Sequence, residues 1–375
     1  METIDLLVVG GGIVGLTAAI AAAEGGARVA LVDAAINAGS NANAGSLHVQ
    51  MQSRFIRLFP DQAPNVEASL PLYLSAVKEW ERLDREIGPF ELVRKGGLML
   101  AESAEQMAFL EQKAAREARQ GLHVDLLDRS ELNKLAPWLG EQIVGAELCH
   151  DEGKLNPLVA NVRLRARAIE LGVDMQIDHV TGLGQQGHVT VHCASGRVHH
   201  CDKVILAAAW GVGSLVQGFG LGLPVRAEPL HMNITEAGAG QINHLIQHAE
   251  RSITLKQFGS GQIVIGGGWQ AQSRGNQDVP GVLAQSLLGN VALAARLVPS
   301  IGQLRVIRTW AGMNTTLDGK SLLGGVPGAE RIILAVPGDA GYTLGPLCGR
   351  AAACLALGNE PPLDIDPFTP GRFSA

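Results

Sequence analysis

The feature that most constrains this chain lies in its first 33 residues. Ile4 to Val9 reads as a buried parallel strand, Gly10 to Gly12 as a sharp turn, and Ile13 to Glu24 as an Ala-rich helix ended by Gly25-Gly26. A second strand, Arg28 to Asp33, follows. The turn spells G-x-G-x-x-G at Gly10, Gly12 and Gly15. In such a turn the first glycine permits the bend, the second lets a pyrophosphate approach the backbone, and the third lets helix pack on strand. The helix N-terminus, with unpaired N–H groups and about half a positive charge, favours an anion there without any basic side chain. Asp33 ends the second strand about 20 residues later, where a carboxylate accepts hydrogen bonds from ribose hydroxyls and repels a 2′-phosphate. A Gly-rich turn alone is weak, but strand, glycines, helix, second strand and terminal acid together point to a dinucleotide. They leave NAD and FAD open.

Composition removes other classes. A chain of 375 residues, 46% hydrophobic, can bury one large core or two connected ones. Its 47 glycines, many at the ends of apolar runs, favour an α/β nucleotide binder over a helical bundle. A formal net charge of −6 offers no basic field for a phosphate backbone, so nucleic acid is not an expected partner. The five cysteines form no C-x-x-C pair and read as reduced thiols of a cytoplasmic protein. No uncharged apolar run reaches the roughly 18 residues of a membrane span, and Ile4 to Val9 is too short for a signal core. Neither an internal repeat nor a low-complexity linker marks a domain boundary.

The stretch after Asp33 separates the two cofactors. Ala34 to Ser46, "AAINAGSNANAGS", is small and polar, poor material for a core strand or a helix, and is expected to be a loop. NAD-binding folds usually run on into further βα units here, whereas Asn41, Asn43, Gly45 and Ser46 offer amide and hydroxyl groups to wrap a ligand. With "NANAGSLHVQMQSR", "DEGKLNPLVANVRLRARAIELGV", "CDKVILAAAW", "RTWAGMNTTLDGKSLLG" and "VPGDAGYTLGPLCGRAAACLALG", the sequence resembles the D-amino-acid oxidase-like superfamily of FAD enzymes over nearly its whole length. Asn41 to Arg54 looks most like the FAD-bearing β subunits of heteromeric opine oxidases and D-hydroxyproline dehydrogenases.

The resemblance implies an α/β fold: a Rossmann-type FAD-binding domain (1–80, 145–222 and 305–375) interleaved with an α+β substrate domain on a mostly antiparallel sheet (81–144 and 223–304). It implies FAD contacts at Gly10, Gly12, Ile13, Val14, Gly15, Asp33 and Ala34, and then at Asn41, Asn43, Ala44, Gly45, Ser46 and Leu47. Further contacts are implied at Val180, Ala208 and Trp210, where Ala209 replaces the family's usual glycine, and at Gly312, Gly338, Gly341, Tyr342 and Thr343. Asn156 and Pro157 read as the N-cap and first residue of an architectural helix. Gly338 to Gly341 precede a helical run from about Leu344 to Leu357, whose N-terminus suits the negative charge of a reduced flavin.

On the reacting side, amine dehydrogenation needs the substrate carbon held near the flavin and its nitrogen neutral, and no protein nucleophile or metal. No G-x-S-x-G, H-E-x-x-H or convincing metal-ligand set occurs. His48 follows the flavin loop and is the foremost ionisable candidate. Trp269 ends a strand, Gln262 to Gly267, that the family folds over the flavin, and His231 is placed to reach the same space if its strand register allows. Tyr342 completes the candidates near the ring. Glycine-oxidase-like members clamp a substrate carboxylate with an arginine where this chain has Asn314; a neutral donor is roughly half as strong as a charge-assisted one, and Arg308 is a substitute from nearby. The expected function is therefore an FAD-dependent dehydrogenase subunit acting on a secondary amine or imino acid such as D-hydroxyproline or an opine. It would work in a hetero-oligomer whose partner subunits carry or share FMN or an iron–sulfur centre. A stand-alone glycine or D-amino-acid oxidase and a non-catalytic FAD- or ADP-binding subunit are the alternatives.

Overall fold

The structure, a computed structural model, describes residues 4–36, 39–275 and 279–374, the side chain of Arg54 excepted. Its first layer is an eight-stranded sheet in which Ile4–Val9 lies at the centre, parallel to Val29–Asp33 on one side and Val198–Leu206 on the other. Asp174–Ile177 and Ala329–Val336 extend it in parallel. Buried on both faces, the central strands read as continuous apolar runs, as expected for a parallel sheet between helices. The connecting helix Ile13–Glu24 has the bounds anticipated from the sequence. It packs against Gly341–Leu357 in the larger hydrophobic core, where Ile13, Val14, Leu344 and Leu347 are buried together. The second sheet, also eight-stranded, is mostly antiparallel and runs from Val306–Thr316 through Arg226–Ala237 to Val124–Asp128. Helix Ala284–Leu297 covers it. The α/β class with a mostly antiparallel second sheet stands.

Two strands on the FAD side of the sequence-derived boundaries pair in this second sheet. Val306–Thr316 pairs along Arg226–Ala237 from Arg226 opposite Thr316 to Thr235 opposite Val306, and Gly145–Cys149 pairs with Gly97–Ala101. Backbone donors of a long strand must be matched, and the partner of each lies in the second sheet, so the chain crosses between layers inside these segments.

The stretch expected to be a featureless loop carries structure: a helical turn at Gly39–Ala42 and a two-residue strand, Ser46–Leu47, paired with Gly153–Lys154. Asn37 and Ala38 lie outside the described residues. Local propensity is overridden by tertiary bonds. Ser40 Oγ accepts from Ile13 N at 2.9 Å and the Trp310 indole donates to Ala42 O at 2.8 Å. Asn156 caps the helix Pro157–Glu170, its side chain accepting from Leu158 N, as its sequence position predicts. Among the described residues, no helix is long and apolar enough to cross a membrane.

Candidate functional site

A cleft of about 410 Å³ runs between the two sheets. At one end the glycine turn brings the N-terminus of Ile13–Glu24 to its floor. Gly10 has φ +104°, and a Cβ there would sit 2.5 Å from the Ala207 carbonyl oxygen, so only glycine holds this bend beside the neighbouring strand. A Cβ on Gly15 would overlap the Gly10 carbonyl oxygen, which is the close strand–helix approach the motif implies. Asp33, Ala34, Val180, Ala208 and Trp210 line the same end. The Asp33 carboxylate lies at the strand terminus, 3.7 Å from the Arg165 guanidinium and accepting from Ala35 N at 3.3 Å. Asp33→Ala is expected to weaken FAD by about 1.5 to 3 kcal/mol, roughly 10- to 150-fold, read from the fluorescence of released cofactor; an unchanged Kd would assign the ribose to another residue.

At the other end, Gly338, Gly341 and Thr343 aim a second helix N-terminus into the cleft, opposite Ser46 and His48. Two helix termini and an acidic strand end thus face one elongated space, the arrangement an adenine dinucleotide with a redox-active ring requires. Ile13, Val14, Gly12, Asn41, Asn43, Ala44 and Gly312 also line it. Gly45 and Leu47 stand behind the wall: Gly45 N donates to Asn43 Oδ1 at 2.7 Å, and Leu47 is fully buried in the core. FAD therefore fits, and the glycine turn, the Asn41–Ser46 segment and the Gly341 helix terminus are the groups that would hold it.

His48 is well placed. Its backbone N donates to Thr343 Oγ1 at 3.1 Å, which ties the loop to the Gly341–Leu357 helix. Its Nδ1 has no hydrogen-bond partner and faces the buried Glu152 carboxylate at 3.6 Å. Glu152, fully buried, accepts from Val49 N, from Gln50 Nε2 at 2.9 Å and from Gln247 Nε2 at 2.8 Å. Sequence reasoning took the "DEGKLNP" segment as architectural and missed this carboxylate, since its meaning depends on a loop about 100 residues away. His231 also lines the cleft; burial lowers its pKa, only partly offset by the 3.0 Å contact to Asn233.

Asn314 lines the cleft with both hydrogens of its amide engaged, one on Asp339 Oδ1 at 2.5 Å and one on Glu228 Oε2 at 3.3 Å. Glu228 is there because it lies opposite Asn314 in the strand pair. Three candidates are not gathered with His48. The Trp269 indole turns away to donate to Ser252 O at 2.7 Å and packs on the second core. Arg308 is exposed, with its guanidinium 5.7 Å from the Trp310 ring. The Tyr342 phenol points inward, donating to Asn161 at 3.0 Å and stacked on Trp80, and burial raises its pKa, so only the remainder of that residue reaches the cleft. Among the described residues no group of three or more ligands could hold a metal ion.

Comparison with known proteins agrees with this geometry. Residues 5–355 match the family model DAO, FAD dependent oxidoreductase. The chain is 24% identical over 387 residues to the β subunit of sarcosine oxidase from Rhizobium meliloti, covering 98% of this chain and 88% of that protein. It is 25% identical over 343 residues to an opine oxidase subunit of the same species, covering 85% and 84%. Its fold superposes on glycine oxidase from Geobacillus kaustophilus with a TM-score of 0.85 at 22% identity, over 98% of each chain.

Proposed function

We propose, since the chain belongs to the DAO family of FAD-dependent oxidoreductases, that it oxidises a secondary amine or imino acid such as D-hydroxyproline or an opine as one subunit of a heteromeric dehydrogenase. The observation that carries this reading is Asn314: the residue at the family's carboxylate-clamping position is neutral, and its amide is already bonded to Asp339 and Glu228. A small D-amino acid loses its main anchor there. A larger or cyclic amine recovers binding by apolar contact at about 25 cal/mol per Å² buried, along the wall formed by Leu230, Met232 and Met313. The flavin, when bound, takes up a hydride equivalent from the carbon next to nitrogen.

The chain's own residues orient and deprotonate. His48 holds the imidazole at the cleft with Nδ1 toward Glu152 and receives the substrate nitrogen's proton at Nε2. His231, whose pKa burial lowers, contributes shape and a polar edge. The parallel sheet with its helices serves as the FAD-binding part and the antiparallel sheet as the part that covers the ring and selects substrate. The heteromeric reading is supported by the likeness to subunits of two oxidases, one acting on sarcosine and one on opines. Five free thiols suit a reducing compartment such as the cytoplasm. FMN or an iron–sulfur centre would then reside with the partner subunits.

Anaerobic bleaching of the flavin tests the reading. D-hydroxyproline or an opine is expected to reduce it faster than sarcosine, and D-alanine slowest, with a dye outperforming oxygen as acceptor. Rapid D-alanine turnover by this chain alone, with stoichiometric peroxide, would instead identify a stand-alone oxidase.

A further inference from the structure

Two lysines are buried in the seam between the sheets without a carboxylate partner among the described residues. Lys256 lies on the strand Thr254–Gln257, fully buried, and its Nζ donates to Ser46 Oγ at 2.5 Å. Lys154, opposite Ser46 in the short strand pair, donates only to the carbonyl oxygens of Ile242 and Gln257, at 2.9 and 2.6 Å. Thr254, two residues before Lys256 and hence on the same face of the strand, lines the cleft, as does Ser46. A desolvated ammonium held only by neutral oxygens is costly unless it gives up its proton or an anion compensates it. Glu152, the carboxylate next to this strand pair, is turned to His48, Gln50 and Gln247 instead.

The glycine turn and Asp33 occupy the far end of the cleft, so the Ser46 end receives the flavin ring. We propose that Lys256, acting through the Ser46 hydroxyl, adds a full positive charge to the Gly341 helix terminus against the negative charge the flavin gains on reduction. Oxidised flavin is neutral at the ring, and two electrons with one proton leave it anionic; a neighbouring ammonium favours that state. The charge is adjustable. Burial, with Lys154 as a like-charged neighbour, lowers the Lys256 pKa to about 7. Burial lowers Lys154 to about 8, and next to it His244 is lowered to about 4, so His244 adds no charge near neutrality. Lys256 is a positioning residue for charge, distinct from the proton-accepting role given to His48. The inference rests on FAD binding and is independent of which amine is oxidised.

The test is the midpoint potential of the FAD-loaded protein, by dye equilibration with no amine present, for wild type and Lys256→Met from about pH 6 to about pH 9. At the acid end the variant should favour two-electron reduction about tenfold less, a drop of about 30 mV. The gap should close as pH rises and Lys256 loses its proton. Coincident potentials throughout, or an offset that does not change with pH, would overturn the proposal. If the variant fails to fold, the wild-type line decides alone. Lys256 takes up a proton on reduction in the window above its resting pKa, so the potential should fall about 30 mV per pH unit more steeply there, beginning near pH 7. A wild-type line without that steeper segment would equally refute it.

Discussion

Replacing Gly12 with valine should yield a folded protein that purifies colourless. Gly12 is extended, with φ −74° and ψ −173°, a conformation valine adopts without strain, so the turn itself survives. The side chain is what does the damage. A Cβ at this position comes within 3.0 Å of Ser40 Oγ, the group that accepts from Ile13 N at the helix terminus. The added methyls then occupy the space before the first free N–H groups, where the pyrophosphate would sit. Loss of that contact should cost more than about 4 kcal/mol of FAD affinity, roughly a thousandfold. Flavin absorbance and far-UV circular dichroism separate cofactor from fold. Gly15→Val is the contrasting variant: its side chain must overlap the Gly10 carbonyl oxygen, so it should lose secondary structure as well as colour. A yellow, fully loaded Gly12→Val protein would remove the pyrophosphate from this turn.

Lys113→Met should destabilise the protein by about 3 to 5 kcal/mol, the usual cost of removing one partner from a buried ionic cluster. Lys113 is fully buried on the helix Ala104–Arg119, with Nζ 2.8 Å from Glu117 Oε1, 3.0 Å from Glu147 and 3.1 Å from Gln50 Oε1. Burial works against its charge, but the two carboxylates outweigh burial and raise its pKa. Burial raises that of Glu147, which the Lys113 ammonium opposes. Removing the ammonium leaves two acids facing each other in an apolar layer. Glu117 also accepts from Met51 N at 2.5 Å, so the same cluster anchors the chain just past His48. A urea midpoint should therefore fall, and adding Glu147→Gln to Lys113→Met should recover part of the loss. A single variant within about 1 kcal/mol of wild type would mean the cluster contributes little.

How far each feature was legible follows from the range of the interaction that makes it. The strand, turn, helix and second strand at the start of the chain are specified by local sterics and by an apolar period, and the structure reproduces Ile4–Val9 and Ile13–Glu24 to the residue. The Asn156 cap depends on neighbours a few positions away and is equally readable, whereas the last long helix, expected from about Leu344, begins three residues earlier at Gly341. Asn314 was recognised because a single position could be compared with a family pattern. The sequence alone thus points to a dinucleotide site, to its cofactor by resemblance, and to an asparagine at the position where the family pattern has an arginine.

Only the tertiary structure decided which side chains meet. Tyr342 sits one residue past a cleft-facing glycine, yet its phenol turns toward Asn161, and Trp269 turns toward Ser252, because each polar tip takes a hydrogen-bond partner that lies outside the cleft lining. Glu152 reaches His48, and Lys256 reaches Ser46, across spans of about 100 and 200 residues. No period or propensity records such pairs: a strand's alternation says that Thr254 and Lys256 share a face, but only the docking of the second sheet on the first says that this face looks onto the cleft.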